Sequence, residues 1–124
     1  MITDKAKELM SDYFVKLISG GTTLSNVTLS AGSGKIGTGG NNTSPLATTL
    51  DIDLASATVS AVATSSNTFE VKLSVAGSNI TGKVIREAGI FDSNNNLLAR
   101  VNFNGVGPFT ASQTLEIFLI MEVE

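Results

Sequence analysis

The sequence predicts a mainly β domain: an antiparallel β-sandwich with one N-terminal amphipathic α-helix. Three observations carry this. Charged residues make up only 15% of the 124 residues. Several stretches alternate apolar and polar residues with period two, and Gly-, Asn- and Ser-rich segments punctuate them, as strands and turns require. A chain this long suits one core, so residues 1–124 are read as a single domain, with a helix over 3–19, a glycine-rich loop over 31–45 and a β-domain over 46–124.

The helix is expected first. Thr3 can cap it, with Asp4 in the first turn, where a negative charge meets the positive end of the helix dipole. Ala6, Leu9, Met10, Tyr13, Phe14, Leu17 and Ile18 then recur at three-and-four spacing along one face, and Gly20 and Gly21 provide a stop. This stripe is expected to pack on the sheet as a lid. Asp4, Glu8 and Asp12 would repel anionic lipid, and the stripe is too short for a sustained heptad.

Residues 26–30 suggest a short strand. The glycine-rich segment after it, 31–45, has almost no apolar content and is expected as a long exposed loop ordered only against a neighbour, with Lys35 and Ile36 assigned to that contact. Period two begins at Leu46, with Leu46, Thr48, Leu50, Ile52 and Leu54 on one face. A weaker strand follows over 57–64, a turn at 65–67, and a half-buried strand in which Phe69, Val71, Leu73 and Val75 alternate with Glu70, Lys72 and Ser74.

The strongest signal is a hairpin over 84–100. Its first arm has apolar residues on both faces, broken only by Arg86 and Glu87, and is therefore expected to be covered on both sides. Adjacent strand residues point to opposite faces, so one of those two charges should be buried and paired, in a salt bridge or as a carboxylate capping backbone amides. The second arm places Leu97, Ala99, Val101 and Phe103 opposite Leu98, Arg100 and Asn102, a half-exposed pattern. After a loop over 104–112 that contains Phe109, the last strand, 114–123, puts Leu115, Ile117, Leu119, Met121 and Val123 on one face. Its other face carries Glu116, Phe118, Ile120 and Glu122, so Phe118 and Ile120 need cover from a second layer or from another subunit. Phe118, Ile120, Lys35, Ile36 and Phe109 form the expected interface set.

Little in the sequence supports catalysis. Without Cys or His there is no thiol nucleophile, no imidazole base and no thiolate metal site. The net charge is −3 and the lysines and arginines are scattered, so no basic stripe marks a nucleic-acid partner. The first ten residues lack the apolar run of a signal peptide, and no eighteen apolar residues are consecutive. A soluble product of a cytoplasm, with no membrane partner, is expected. Residues 32–37 fit G-x-G-x-x-G, but no helix follows. As a phosphate loop the same stretch has Leu29 where Gly belongs and Ile36 where a hydroxyl belongs. Asp92, Asn94 and Asn96 match three calcium-loop positions, yet Leu97 replaces the turn glycine and Phe103 the closing glutamate, which favours a polar hairpin turn. Asp51 and Asp53 share a strand face, but nothing in the sequence raises either pKa. No cofactor, no metal and no enzymatic activity are expected.

The hairpin carries a resemblance. Ile85-Arg86-Glu87-Ala88-Gly89-Ile90-Phe91-Asp92, followed by Leu97-Leu98-Ala99, resembles the I-R-E-x-G-L-F-D…G-x-L-I-A signature of bacteriophage tail-fibre and tail-collar attachment domains. The order of the remaining elements agrees along nearly the whole chain. The resemblance implies structural roles for Arg86, Glu87, Gly89, Phe91 and Asp92. It also implies a non-enzymatic structural protein of the virion, made in the host cytoplasm. The expected form is a tail or baseplate adaptor that oligomerises, with trimeric or higher cyclic symmetry, and binds other virion proteins. Members of that family often carry the domain at the start of a long fibre, whereas this sequence ends just after its last strand, which makes capsid decoration the alternative. A carbohydrate-binding module using the two loops is the second alternative, although Phe109 is the one aromatic they offer for stacking.

Overall fold

A computed structural model describes residues 1–19, 32–44 and 47–122. The fold is mainly β and antiparallel, with one N-terminal helix. After helix α1 (Asp4–Ser19) come six strands: β1 (Ser33–Gly37), β2 (Asp53–Ala63), β3 (Thr68–Ala76), β4 (Ile85–Phe91), β5 (Leu97–Val106) and β6 (Thr114–Glu122). They form one sheet in the order β5-β4-β1-β2-β3-β6, curled into a half-barrel rather than clearly split into the two sheets expected. The curl follows from β2. Its first half, from Asp53 to Ala57, pairs with β1, and its second half, from Thr58 to Ala63, pairs with β3. No residue of β2 has both neighbours, so the sheet can turn about the middle of that strand.

The concave face holds the core. Ile36, Ala57 and Ala88 from one half pack with Val71, Leu73, Val75 and Leu115 from the other, closed at one end by Ile80 and Ile85. The half-buried strand read over 69–75 is present as β3, and Val71, Leu73 and Val75 are buried as its alternation requires.

Three expectations change. The glycine-rich stretch is not a loop throughout: Ser33–Gly37 lies between β4 and β2 and pairs with both. Glycine serves here by its lack of a side chain. A Cβ on Gly34 would lie 2.8 Å from Leu73 Cδ2, and one on Gly37 would collide with the Ile52 carbonyl oxygen. A strand clasped on both edges needs no apolar alternation of its own, which is why periodicity missed it. Ile36, expected at an interface, is wholly inaccessible and central to the core.

The strand expected from Leu46 begins only at Asp53. Residues 47–52 instead cross the outer face of β4, with Ala47 and Leu50 buried there and Ile52 exposed. Room for them comes from Gly89, where a Cβ would meet Leu50 Cδ2 at 2.9 Å.

Helix α1 is only partly a lid. Thr3 starts it as expected, its Oγ1 accepting the Ala6 amide at 3.2 Å while donating to the Leu97 carbonyl. Met1 and Thr3 also bond β5, through Arg100 N to Met1 O at 2.9 Å and Thr3 N to Leu98 O at 2.9 Å. These bonds anchor the start of the helix at the sheet edge, where Ala6 is buried and Leu9 and Met10 half-buried. Beyond Met10 the stripe is exposed, to 85% at Ile18. The expected Gly20-Gly21 stop, the short strand over 26–30 and Val123 lie outside the described residues. None of the described helices is long and apolar enough to cross a membrane.

The glycine argument yields a test. Gly37→Ala should lower stability by roughly 1–3 kcal/mol, because only backbone movement relieves its contact. Gly34→Ala meets the end of a leucine side chain and should cost less. Urea denaturation of both variants measures the difference, and equal midpoints would remove the close-approach explanation for Gly37.

Candidate functional site

Four places could carry function: a buried polar cluster on the outer face of β4 and β5, the turn between those strands, an apolar groove at the mouth of the half-barrel, and an apolar stripe on its convex side.

The polar cluster centres on Glu87, which is 0% exposed, and Arg100, which is 2% exposed. One charge of the Arg86-Glu87 pair is buried, as the alternation argument required; Arg86 is the exposed one. Glu87 Oε1 accepts the Asp51 amide at 2.6 Å and Oε2 the Ile52 amide at 3.3 Å, while Arg100 Nη2 lies 3.6 Å from Oε1. Arg100 donates further to Thr49 O at 3.1 Å, Asp51 Oδ1 at 3.5 Å and Asn102 Oδ1 at 2.8 Å. Asp51 Oδ2 in turn accepts the amides of Asn41 and Asn42 at 2.6 and 3.0 Å. Alternation along the second arm places Arg100 on a half-exposed face. What buries it is the 47–52 crossing, which the sequence pattern suggested would be a strand.

Every oxygen of this cluster is engaged by donors of the same chain, so it offers no free base or nucleophile. The amides of Asn41 and Asn42 hold the Asp51 carboxyl below its ordinary value, outweighing the opposing effect of burial, and Arg100 adds a lesser lowering. Chemically the cluster is a clamp that fixes two crossing segments to the sheet.

The turn places Asp92 beneath three asparagines. Its Oδ1 accepts the amides of Asn94 and Asn96 at 2.9 Å each, and its Oδ2 accepts Asn96 Nδ2 at 2.9 Å. Asn95 takes the left-handed conformation, with φ of 64°, which asparagine tolerates better than most residues. For Asp92, burial is the largest single effect and raises the pKa; the side chain and amide of Asn96, the amide of Asn94 and the charge of Lys5 together outweigh it and leave the pKa lowered. Both oxygens are used within the turn, and among the described residues no group of three acids gathers to hold a metal ion.

A one-residue shift in the β4–β5 register between Ile90 and Phe91 lets Leu97 pair with Phe91. Leu97 therefore joins Ala47 and Phe91 on the outer face instead of sharing a face with Ala99. Leu98 and Ala99 line an apolar groove of about 330 Å³ between α1 and the mouth of the half-barrel, with Leu9, Tyr13, Phe69 and Met121 among its walls. Nothing in the sequence pattern announced this groove, because the bulge and the half-docked helix create it together.

The last open surface lies on the convex side. Val62, Phe118 and Ile120 are 60, 55 and 76% exposed. Register places Val62 and Ile120 on either side of Glu70, and Phe118 beside Lys72. Lys72 Nζ is 3.2 Å from Glu116 Oε1 and 5.9 Å from the centroid of the Phe118 ring. No second layer among the described residues covers this stripe.

The remaining expected interface residues are engaged within the chain. Lys35 Nζ sits 4.7 Å from the centroid of the Phe91 ring and 3.7 Å from Asp53 Oδ2. Phe109 packs against the main core, bridges Thr81 and accepts the Gly82 amide at 2.9 Å. The structure thus brings Phe118 and Ile120 together and leaves Lys35, Ile36 and Phe109 apart from them.

Comparison with protein-family models, with curated proteins and with solved structures finds no match for this chain.

Two outcomes follow from the clamp. Arg100→Met leaves Glu87 buried without its counter-charge and should cost about 3–5 kcal/mol, whereas Asn102→Ala removes two hydrogen bonds, from Arg100 and to the Asn42 carbonyl, and should cost about 1–2 kcal/mol. Equilibrium denaturation distinguishes them, and a harmless Arg100→Met would show that the backbone amides alone hold Glu87. Stability should also fall in acid. Asp51 and Asp92 have folded pKa values below the ordinary 3.8, so their contribution is complete above 3.8 and is lost as pH falls through the lower folded values, where protons bind the unfolded chain first. Asp51→Asn and Asp92→Asn should each flatten the acid limb of a stability–pH profile; unchanged slopes would remove these groups as its cause.

Proposed function

We propose that this chain is a non-enzymatic assembly module of a bacteriophage particle, a tail- or baseplate-associated adaptor that binds further copies of itself and other virion proteins. The observation that carries this reading is the stripe of Val62, Phe118 and Ile120 on the convex face, bordering an edge strand. Exposed apolar residues in one patch mark a contact surface more often than bare solvent. The hairpin signature at Ile85–Phe91 and Asp92 supplies the viral part of the proposal. Within it, Glu87, Gly89 and Phe91 have structural work that this fold explains: the first clamps the crossing segment, the second makes room for Leu50, and the third packs with Ala47 and Leu97.

The same reading treats the curled sheet as an open sandwich, β5-β4-β1 facing β3-β6 across the core with β2 as their shared corner. Its support is that the main core draws side chains from both halves. Synthesis in the host cytoplasm and a final place in the virion belong to the proposal, and it involves neither nucleic acid nor membrane. Capsid decoration would use the same apolar surfaces. A carbohydrate-binding role loses its one loop aromatic, since Phe109 is committed to the core.

Phe118→Asp and Ile120→Asp should leave the melting temperature of the isolated chain within a few degrees of wild type and abolish its incorporation into particles. Leu119→Asp, on the concave face, should unfold it. If all three unfold the isolated chain equally, the stripe is ordinary core and the adaptor reading loses its support. Copy number in purified particles distinguishes the positions: a value near that of the major capsid protein means decoration, and a small multiple of the tail symmetry means an adaptor.

A further inference from the structure

We infer that the outer edge of β6 pairs antiparallel with the same edge of a second copy, about a two-fold axis at Phe118, joining two half-barrels through one continuous sheet. This deepens the assembly reading above and rests on it for the claim that the chain works as an oligomer.

The edge itself is the first argument. Nine consecutive residues of β6, from Thr114 to Glu122, pair with β3 without a bulge, and among the described residues no strand pairs with its other side. Edge strands that face water are blunted by Pro, Lys, bulges or shortness. The sequence TLEIFLIME has none of these, and its only charges are Glu116 and Glu122. Such an edge is a template for another strand.

The choice of partner edge comes from the other side of the sheet. Along β5 the backbone groups of Leu98 and Arg100 already bond Thr3 and Met1. A head-to-tail contact of β6 with a neighbour's β5 would have to displace those bonds and the helix start that they anchor. Two β6 edges can meet with no such rearrangement.

Charge then selects the register. With Phe118 opposite itself, the concave row pairs Leu115 with Met121 and Ile117 with Leu119, extending the apolar surface without interruption. On the convex row Glu116 lies opposite Ile120 and Thr114 opposite Glu122, so no like charges face each other. Moving the axis to Leu119 would set Glu116 against Glu122 twice, and like charges directly opposite destabilise a strand pair. Moving it to Ile117 would leave Met121 and Glu122 without strand partners. In the Phe118 register two aromatic rings meet across the axis, a favoured cross-strand pair, each flanked by its own Lys72.

The chain has no cysteine, which makes the register directly testable. Residues opposite one another in an antiparallel pair have Cα atoms about 4.5–5.5 Å apart, inside the span of roughly 4.4–6.8 Å that a disulfide bridges. Full-length Phe118→Cys should therefore oxidise to a covalent dimer in high yield. Ile120→Cys alone should remain largely monomeric on a denaturing gel, while an equimolar mixture of Glu116→Cys and Ile120→Cys should give the mixed dimer. Wild-type protein should sediment as a dimer at micromolar concentration, and Ile120→Glu, which sets a carboxylate opposite Glu116 of the other copy twice, should weaken that dimer at least tenfold with an unchanged circular dichroism spectrum.

A wild-type monomer across the whole concentration range overturns the inference, and so does Ile120→Cys cross-linking as well as Phe118→Cys. Probing purified particles for the chain separates this claim from the one beneath it. A protein that dimerises through residue 118 but is absent from particles overturns the virion reading and leaves the edge pairing standing. A protein present in particles that never cross-links at 118 does the reverse.

Discussion

The buried carboxylate of Glu87 is the constraint on which the outer half of this structure depends. A charge with no exposure must be matched, and here the matching groups come from two places in the chain: the consecutive Asp51 and Ile52 amides, and Arg100 of the next strand. Satisfying it pulls residues 47–52 across β4, which buries Leu50 against Gly89 and encloses Arg100. Asp51, held in place by this arrangement, then orders Asn41 and Asn42 through their amides. A polar network of this kind adds little net stability over an apolar substitute, but its geometry admits few alternatives. It fixes where an otherwise weakly patterned segment must lie.

The other half of the molecule is organised by apolar packing and remains open. The core rows run from Val101, Ala88, Ile36 and Ala55 on one side to Val71, Leu73 and Val75 on the other. Small residues in the first group let the sheet curl closely around Ile36. The curl stops before closure, and β5 and β6 do not pair with each other. Helix α1 reaches this mouth with its first turns only, leaving a groove beneath it and apolar residues beyond it. The groove, the distal helix stripe and the convex stripe are three apolar surfaces among the described residues, and the proposed assembly role would use surfaces of this kind.

Much of this was legible where one element determines its own pattern. The helix start at Thr3, the alternation of β3, the hairpin of β4 and β5 and the burial of one member of the Arg86-Glu87 pair all follow from local spacing and from the rule that neighbouring strand residues face opposite ways. The turn at Asp92 was legible for the same reason, since its carboxylate serves amides two and four residues away. The exposed placement of Phe118 and Ile120 was narrowed to two possibilities by alternation, but not decided.

What the sequence alone determined, then, was the element types, the antiparallel β character and the presence of a charge that needed burial. Only the tertiary structure decided that Ser33–Gly37 is a central strand, that residues 47–52 are not a strand, that Arg100 is buried and that the two sheet halves form one curled surface. The reason is physical. Glycine in β1 is required by the close approach of Leu73, Ile52 and Glu87, which lie 15 to 50 residues further along the chain, and a pattern within the segment cannot register it. In the same way a single bulge beside Phe91 moved Leu97 to the other face of β5, because strand periodicity carries no memory of where the count is interrupted.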